Sequence, residues 1–559
     1  MKTTLAVSAA LALAALPAAV AAKGGATPAP EEVKAAQAIT AALLRAHVKL
    51  VSSDLTEGRG PGTRGDAIAR AYIASQLEAL GLEPAAPEGG FFQKVPLVGV
   101  ATKVVEPLRF EGPKGTAELR PEESVVVAGV PRDVKIAGAE VVFVGYGIVA
   151  PEYRWDDYAG ADVRGKVVLV MNDDPSEDPA LFAGKTRLYY GRWTYKYEEA
   201  ARHGAAGAII IHTTPSAAYP WQVVQTSWAG TLYTLPDDPN PLVEARMWTT
   251  EDASRRIAAL GGHDLDALRE AATKRGFKAV PLGVRCSVGL GAAVTRIESA
   301  NVLAKLPGSD PARRGEVVLV TAHHDHLGVK PGAAKGDDAI YNGAVDNATG
   351  IAGMLAAARA AAALPRAPAR TIVFVAFAAE EQGLLGSEWL AQHPPVPVGK
   401  IAVTVNMDSM NVFGRTRDVT LVGLGKSSVD DLLAPLARWQ GRVVKGDPTP
   451  EKGIFYRSDH FSLAKVGVPA ADIGKGTDFV GRPPGWGKQM EEAWTARHYH
   501  QPSDEYRDDW DLSGMIDDVR LVFFLAVKAA DAREMPRWRR GDEFEAARLR
   551  ALGHAAGAH

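Results

Sequence analysis

Cysteine is nearly absent: Cys286 is the only one in 559 residues. No internal disulfide can form, so the fold must be held by packing. Long apolar runs are missing too. After residue 22 no segment reaches the ~18 uninterrupted apolar residues that a membrane-spanning helix needs. Blocks of basic charge are also lacking, and the formal net charge is −3. Nucleic acid and acidic membrane surfaces are therefore not expected partners.

What the chain has is an ordinary globular composition, 47% hydrophobic and 23% charged, which argues against long disordered stretches. Its length exceeds what one core usually serves, so more than one domain is expected. "MKTTLAVSAALALAALPAAVAA" pairs an early lysine (Lys2) with a short alanine-rich apolar stretch and a small-x-small site at Ala19-Val20-Ala21. This reads as a signal peptide over 1–22, cleaved near Ala21/Ala22. It predicts a secreted or periplasmic protein without stable membrane insertion afterwards, and it has no cysteine for lipid attachment.

The segments "EEVKAAQAITAALLRAHVKLVSSD" and "GDAIARAYIASQLEALGL" have helical periodicity, and the second stops at Gly81. From about Phe91 to Val127, alternating residues interrupted by Gly and Pro predict short strands. "AEVVFVGYGI", "GKVVLVMND" and "AAGAIIIHTT" then read as buried strands, with "YKYEEAARHG" as a helix between the last two. A further series, "EVVLVTA", "TIVFVAFAA" and "IAVTVNM", alternates with helical stretches such as "ATGIAGMLAAARAAAAL". The fold class expected is α/β, with a mixed, largely parallel central sheet flanked by helices and a smaller inserted α/β unit. The expected divisions are 31–130, an insert over 131–287, a second main part over 288–535, and a surface helix with a frayed tail over 536–559.

In open α/β sheets, ligands gather beyond the C-terminal ends of the strands. His323 and Asp325 follow "EVVLVTA", Glu380 and Glu381 follow "TIVFVAFAA", and Asp408 follows "IAVTVNM", while Asp346 precedes the alanine-rich helix. Singly, each has a plain explanation, such as a helix cap for Asp346. Jointly, at one sheet edge, they suit zinc or a similar divalent ion, and a shared carboxylate would permit two ions. "RHYHQPSDEY" offers a further imidazole in His498 or His500.

These residues lie in motifs that resemble the M28 family of zinc metallopeptidases, the group containing aminopeptidase Y and glutamate carboxypeptidase: "HHD", "YNGAVDNATG", "AFAAEEQGLLGS", "VNMDSM", "SDHFSLAKVGVPA" and "HYHQPSDEY", in order. The insert, with "VFVGYGIVAPEYRWDDYAGADVRGKVVLV", is similar to a protease-associated (PA) domain. The resemblance implies two zinc ions per chain. Asp346 would bridge them, His500 and Glu381 would bind one, and His323 and Asp408 the other. It implies Glu380 as the base and Asp325 behind His323, orienting its ring. His324 and His326 are then expected as wall or surface residues. Tyr456 is a candidate for oxyanion stabilisation or else a core or rim aromatic, and Arg457 is a candidate for a substrate carboxylate unless it pairs with Asp459. The activity implied is an exopeptidase acting on peptides, with an aminopeptidase preferred. A glutamate-type carboxypeptidase and a non-catalytic peptide-binding, receptor-like scaffold are the alternatives. The sequence does not specify the oligomeric state.

Overall fold

The computed structural model describes residues 27–553 apart from 177, 179–180, 237–240 and 335. The leader expected over 1–22 lies outside the described residues. Among the described residues, no helix is long and apolar enough to cross a membrane.

The three runs predicted as parallel strands form Val317–His323, Thr371–Phe377 and Ile401–Asn406, with every residue buried. Continuous apolar runs of this kind arise when a strand is covered on both faces. Val317–His323 lies between the other two and is parallel to both. Ala470–Gly474 extends the set beside Ile401–Asn406, also in parallel. Thr349–Ala362 and Ser513–Asp531 contribute to the core on one face. The alanines and glycines of Thr349–Ala362 let it settle deep: at Gly353 a Cβ would come within 3.0 Å of Met407 Sδ and 3.1 Å of Val519.

The inserted segment carries a second parallel set, Val134–Phe143, Val167–Met171, Gly207–His212 and Ala245–Thr250, with the predicted helix at Trp193–Arg202. Both sets belong to one 16-stranded sheet. They are joined by Val280–Leu306, which runs antiparallel to Thr371–Phe377 along its C-terminal end (302–306) and to Val134–Phe143 along its N-terminal end (280–290). The seam expected at 287/288 therefore falls inside a strand, and the chain passes it without a loop.

Two expectations are corrected. Of the short strands expected from about Phe91 to Val127, Gly115–Glu118 and Ser124–Ala128 form, but the first part of that stretch is one long strand, Phe92–Gly112. It pairs with Val280–Leu306 from Phe92 opposite Val302 to Glu111 opposite Arg285, and this continuous partner carries it past Pro96 and Gly99, where an unpartnered strand would end. Nor is the C-terminal segment simply a surface helix and tail. Trp538 and Phe544 are buried against Phe455 and Phe461, the Trp538 indole N–H donates to the Gly467 carbonyl at 3.0 Å, and buried Arg548 donates to the Ile401 carbonyl at 2.9 Å.

Candidate metal centre

The strand Val317–His323 ends on His323, and the loops after Thr371–Phe377 and Ile401–Asn406 carry Glu380, Glu381 and Asp408 to the same edge. Asp346 enters from the kinked turn Ala344–Ala348, directly before the helix Thr349–Ala362. His500 enters from the far end of the chain. Three backbone outliers border these groups: Ala379, Ser409 and His500 have φ of 54°, 51° and 57°, in the left-handed region that side chains avoid. Such conformations persist only where the surroundings over-determine them.

The two oxygens of Asp346 face different partners. Oδ1 lies 3.4 Å from His323 Nε2, which is in turn 3.6 Å from Asp408 Oδ1. Oδ2 lies 3.5 Å from His500 Nε2, which approaches Glu381 Oε2 at 3.0 Å. Yet the Nε2 atoms of His323, His326 and His500 are all buried without a hydrogen-bond partner. A buried polar nitrogen left in this way costs free energy unless something else meets it. Imidazole and carboxylate donors converging on a shared carboxylate fit a zinc-type ion on either side of Asp346. Among the described residues, two triads have donor atoms close enough to hold an ion: His323, Asp346 and Asp408, and His326, Asp346 and Glu381.

Electrostatics separate the adjacent glutamates. Burial pushes Glu380 well above the usual carboxylate range, aided by the charges of Glu381, Asp459 and Asp408 against the pull of His323. Burial would raise Glu381 too, but His500 and His326 bring it down to about 2. Burial alone would lower the His323 ring, yet Glu380, Asp346 and Asp408 hold it well above its ordinary value. Neighbouring acids whose environments drive their pKa values apart are suited to different tasks.

The structure brings His323, Asp346, Glu380, Glu381, Asp408 and His500 together; His498 instead faces Ser503, on the exposed side. It departs from expectation elsewhere. His324 and His326, expected on the wall or the surface, are fully buried. His324 Nε2 pairs with Asp66 at 2.9 Å, and His326 Nδ1 meets Glu381 at 2.5 Å. The Asp325 carboxylate, 3.8 Å from His323 Nδ1, accepts the backbone N–H groups of Glu380 (3.0 Å) and Glu381 (3.3 Å), so it pins that turn more directly than it orients the ring. Tyr456 is removed from the oxyanion role because its buried hydroxyl donates to Glu543 at 2.7 Å. Arg457 does not pair with Asp459; it lies 5.3 Å over the Tyr219 ring.

Several contributors had no sequence signal of their own. Tyr499 stacks on His500 with ring centroids 3.9 Å apart. Asp504 accepts the backbone N–H groups of Val345 (2.9 Å) and Asp346 (3.0 Å), fixing the shared carboxylate from behind. Buried Arg59 donates to the carbonyls of His324, Asn342 and Gly343, tying the histidine loop to the turn that carries Asp346. Asp504 lies within a motif whose histidines carry the sequence signal, and Arg59 lies more than 250 residues from these three carbonyls. The centre opens into a cavity of about 540 Å³, walled partly by Trp193, Tyr219 and Trp228 of the insert and by Arg192 and Arg457.

Residues 301–523 match the family model "Peptidase family M28". A probable zinc metalloprotease of Pyrenophora teres f. teres (strain 0-1) is 39% identical over 112 residues, covering 20% of this chain and 23% of that protein. Another, of Pyricularia oryzae, is 34% identical over 167 residues, 29% of each chain. The matches thus span about a quarter of the length of these curated relatives. The fold is similar over most of the chain to an aminopeptidase from Aneurinibacillus sp. strain AM-1, with a TM-score of 0.51 at 21% identity, covering 91% of this chain and 97% of that one.

Proposed function

We propose, on the match of residues 301–523 to the model of peptidase family M28, that the protein is an exported zinc-dependent exopeptidase holding two ions, and that it releases N-terminal residues from peptides. The observation that carries this reading is Asp346, whose two oxygens face two separate donor sets. His323 and Asp408 would hold one ion, Glu381 and His500 the other, with Asp346 shared and His326 steadying Glu381. Zinc bound there would polarise the scissile carbonyl and acidify a water.

The remaining work falls to the chain's own groups. Glu380, whose pKa burial raises, is matched to take a proton from the water and return it to the leaving amine. Asp325 holds the Glu380 backbone so that its carboxylate faces the cavity while Glu381 turns to the histidines. Tyr499, stacked on His500 and lining the cavity, is the hydroxyl assigned to the developing oxyanion in place of Tyr456.

A second reading, a glutamate-type carboxypeptidase, is favoured by one observation. Arg192 and Arg457 line the cavity and make no ion pair with any described carboxylate. Free and N-blocked peptides, assayed with and without chelator, separate the two readings, since N-blocking stops an aminopeptidase and spares a carboxypeptidase. Glu380→Gln should lower turnover by at least about a hundredfold while zinc content stays at two per chain. Retained turnover removes Glu380 from the mechanism, and a chain that takes up no zinc leaves only a scaffold.

A further inference from the structure

Resting on the reading of His500 as a zinc ligand, we propose that Ser227, contributed by the inserted segment, is a positioning residue for that ligand, so that the insert completes one half of the metal centre. A ring that ligates through Nε2 carries its proton on Nδ1, and metal-bound histidines ordinarily have that second nitrogen held by an acceptor that fixes tautomer and ring orientation. His323 has such an acceptor within its own loop, the Asp325 carbonyl, 3.3 Å from Nδ1. His500 has none from the peptidase segment. Its Nδ1 lies 3.1 Å from the Ser227 hydroxyl, 273 residues earlier in the chain.

The surroundings of both residues show a built contact. Ser227 ends the helix Trp221–Ser227, whose Val223 and Val224 are buried. The next residue, Trp228, sits among Trp193, Tyr197 and Trp248, with ring centroids 5.4–6.2 Å away. Three residues beyond that, Thr231–Thr234 pairs with the long strand Phe92–Gly112, anchoring the segment to the sheet. On the other side, His500 has a φ of 57° and its Nε2 is aimed between Asp346 and Glu381. A left-handed histidine needs outside restraint to stay there. Tyr499 stacks on one face of the ring and also packs against the insert's aromatic cluster, and Ser227 holds the edge. The cavity wall and the ligand therefore share one anchor, whereas the His323 half of the centre is built within the peptidase segment.

The test uses the full chain and titrates zinc against a competing chelator. Wild type should bind two ions. Ser227→Ala should weaken one of them about 10- to 100-fold and leave the other unchanged. Ser227→Thr, which keeps the hydroxyl, should restore most of the loss. Thermal unfolding of the zinc-free variants provides the control and should be the same for Ala and wild type within a degree or two. Two ions held by Ser227→Ala with wild-type affinity would overturn the proposal. Equal weakening in Ala and Thr would overturn it as well, by assigning the effect to packing. A wild type that binds no zinc would instead sink the underlying assignment of the centre.

Discussion

Asp66 is fully buried yet is held below its ordinary pKa of 3.8: burial works against ionisation, but His324, Arg70 and the Gly62 N–H overcome it. His324 Nε2 lies 2.9 Å away, Arg70 Nε 3.0 Å, the Gly62 N–H donor 2.8 Å and the Ser299 hydroxyl 2.9 Å. Truncation would strand these donors in the interior, so Asp66→Ala should cost about 3–5 kcal/mol in denaturant unfolding. A carboxyl with a depressed folded pKa stabilises above its unfolded value and loses that contribution as pH falls through the folded one. The difference between variant and wild type should therefore be full above pH 3.8 and shrink below it. An unchanged midpoint at neutral pH would refute the argument. The same residue shows why His324 was misread. In sequence it is one histidine among three beside an apolar strand, and its partner is 258 positions away. His323 was legible because a strand end is a local feature. The outward or inward sense of its neighbours depends on which distant side chains fill the space behind them.

At the scale of elements, the strands that deliver the centre were readable because full burial writes a continuous apolar run. The edge that collects ligands follows from their parallel order. The strand Phe92–Gly112 was not readable as one piece: its Pro and Gly positions look like breaks until the partner strand is in place. The C-terminal segment misled in the same way, since its charged residues hide two buried aromatics, Trp538 and Phe544. The turn holding Glu380 and Glu381 depends on an equally tight contact. The Gly386 N–H donates to the Ala378 carbonyl at 2.9 Å, and a Cβ on Gly386 would come within 2.1 Å of that oxygen and 2.5 Å of Asn301 Oδ1. Gly386→Ala must push the turn outward. Stability should fall by about 1–3 kcal/mol, and turnover should fall with it because Glu380 moves. Wild-type values for both the denaturant midpoint and turnover would show that the turn is not locked there.

At the scale of the molecule, the insert and the peptidase segment should not unfold separately, although chains of this size commonly do so domain by domain. Val280–Leu306 is hydrogen-bonded to strands of both parallel sets, so melting either set strips part of the edge of the strand that supports the other. Away from the sheet, Tyr189 of the insert lies against Phe461 and Tyr456 with centroids 5.0 and 6.1 Å apart, and the Arg187 N–H donates to the Pro450 carbonyl at 3.0 Å. Loss of the insert would therefore open the aromatic cluster that contains Phe455, Phe461 and Trp538. Calorimetry should show one transition, with matching calorimetric and van't Hoff enthalpies. Because zinc bound only to the folded chain stabilises it by mass action, about 2.7 kcal/mol at a free concentration one hundred times Kd, chelation should move that transition to lower temperature without splitting it. Two resolved transitions, with only one sensitive to chelator, would mean that the long strand joins the two halves without coupling them.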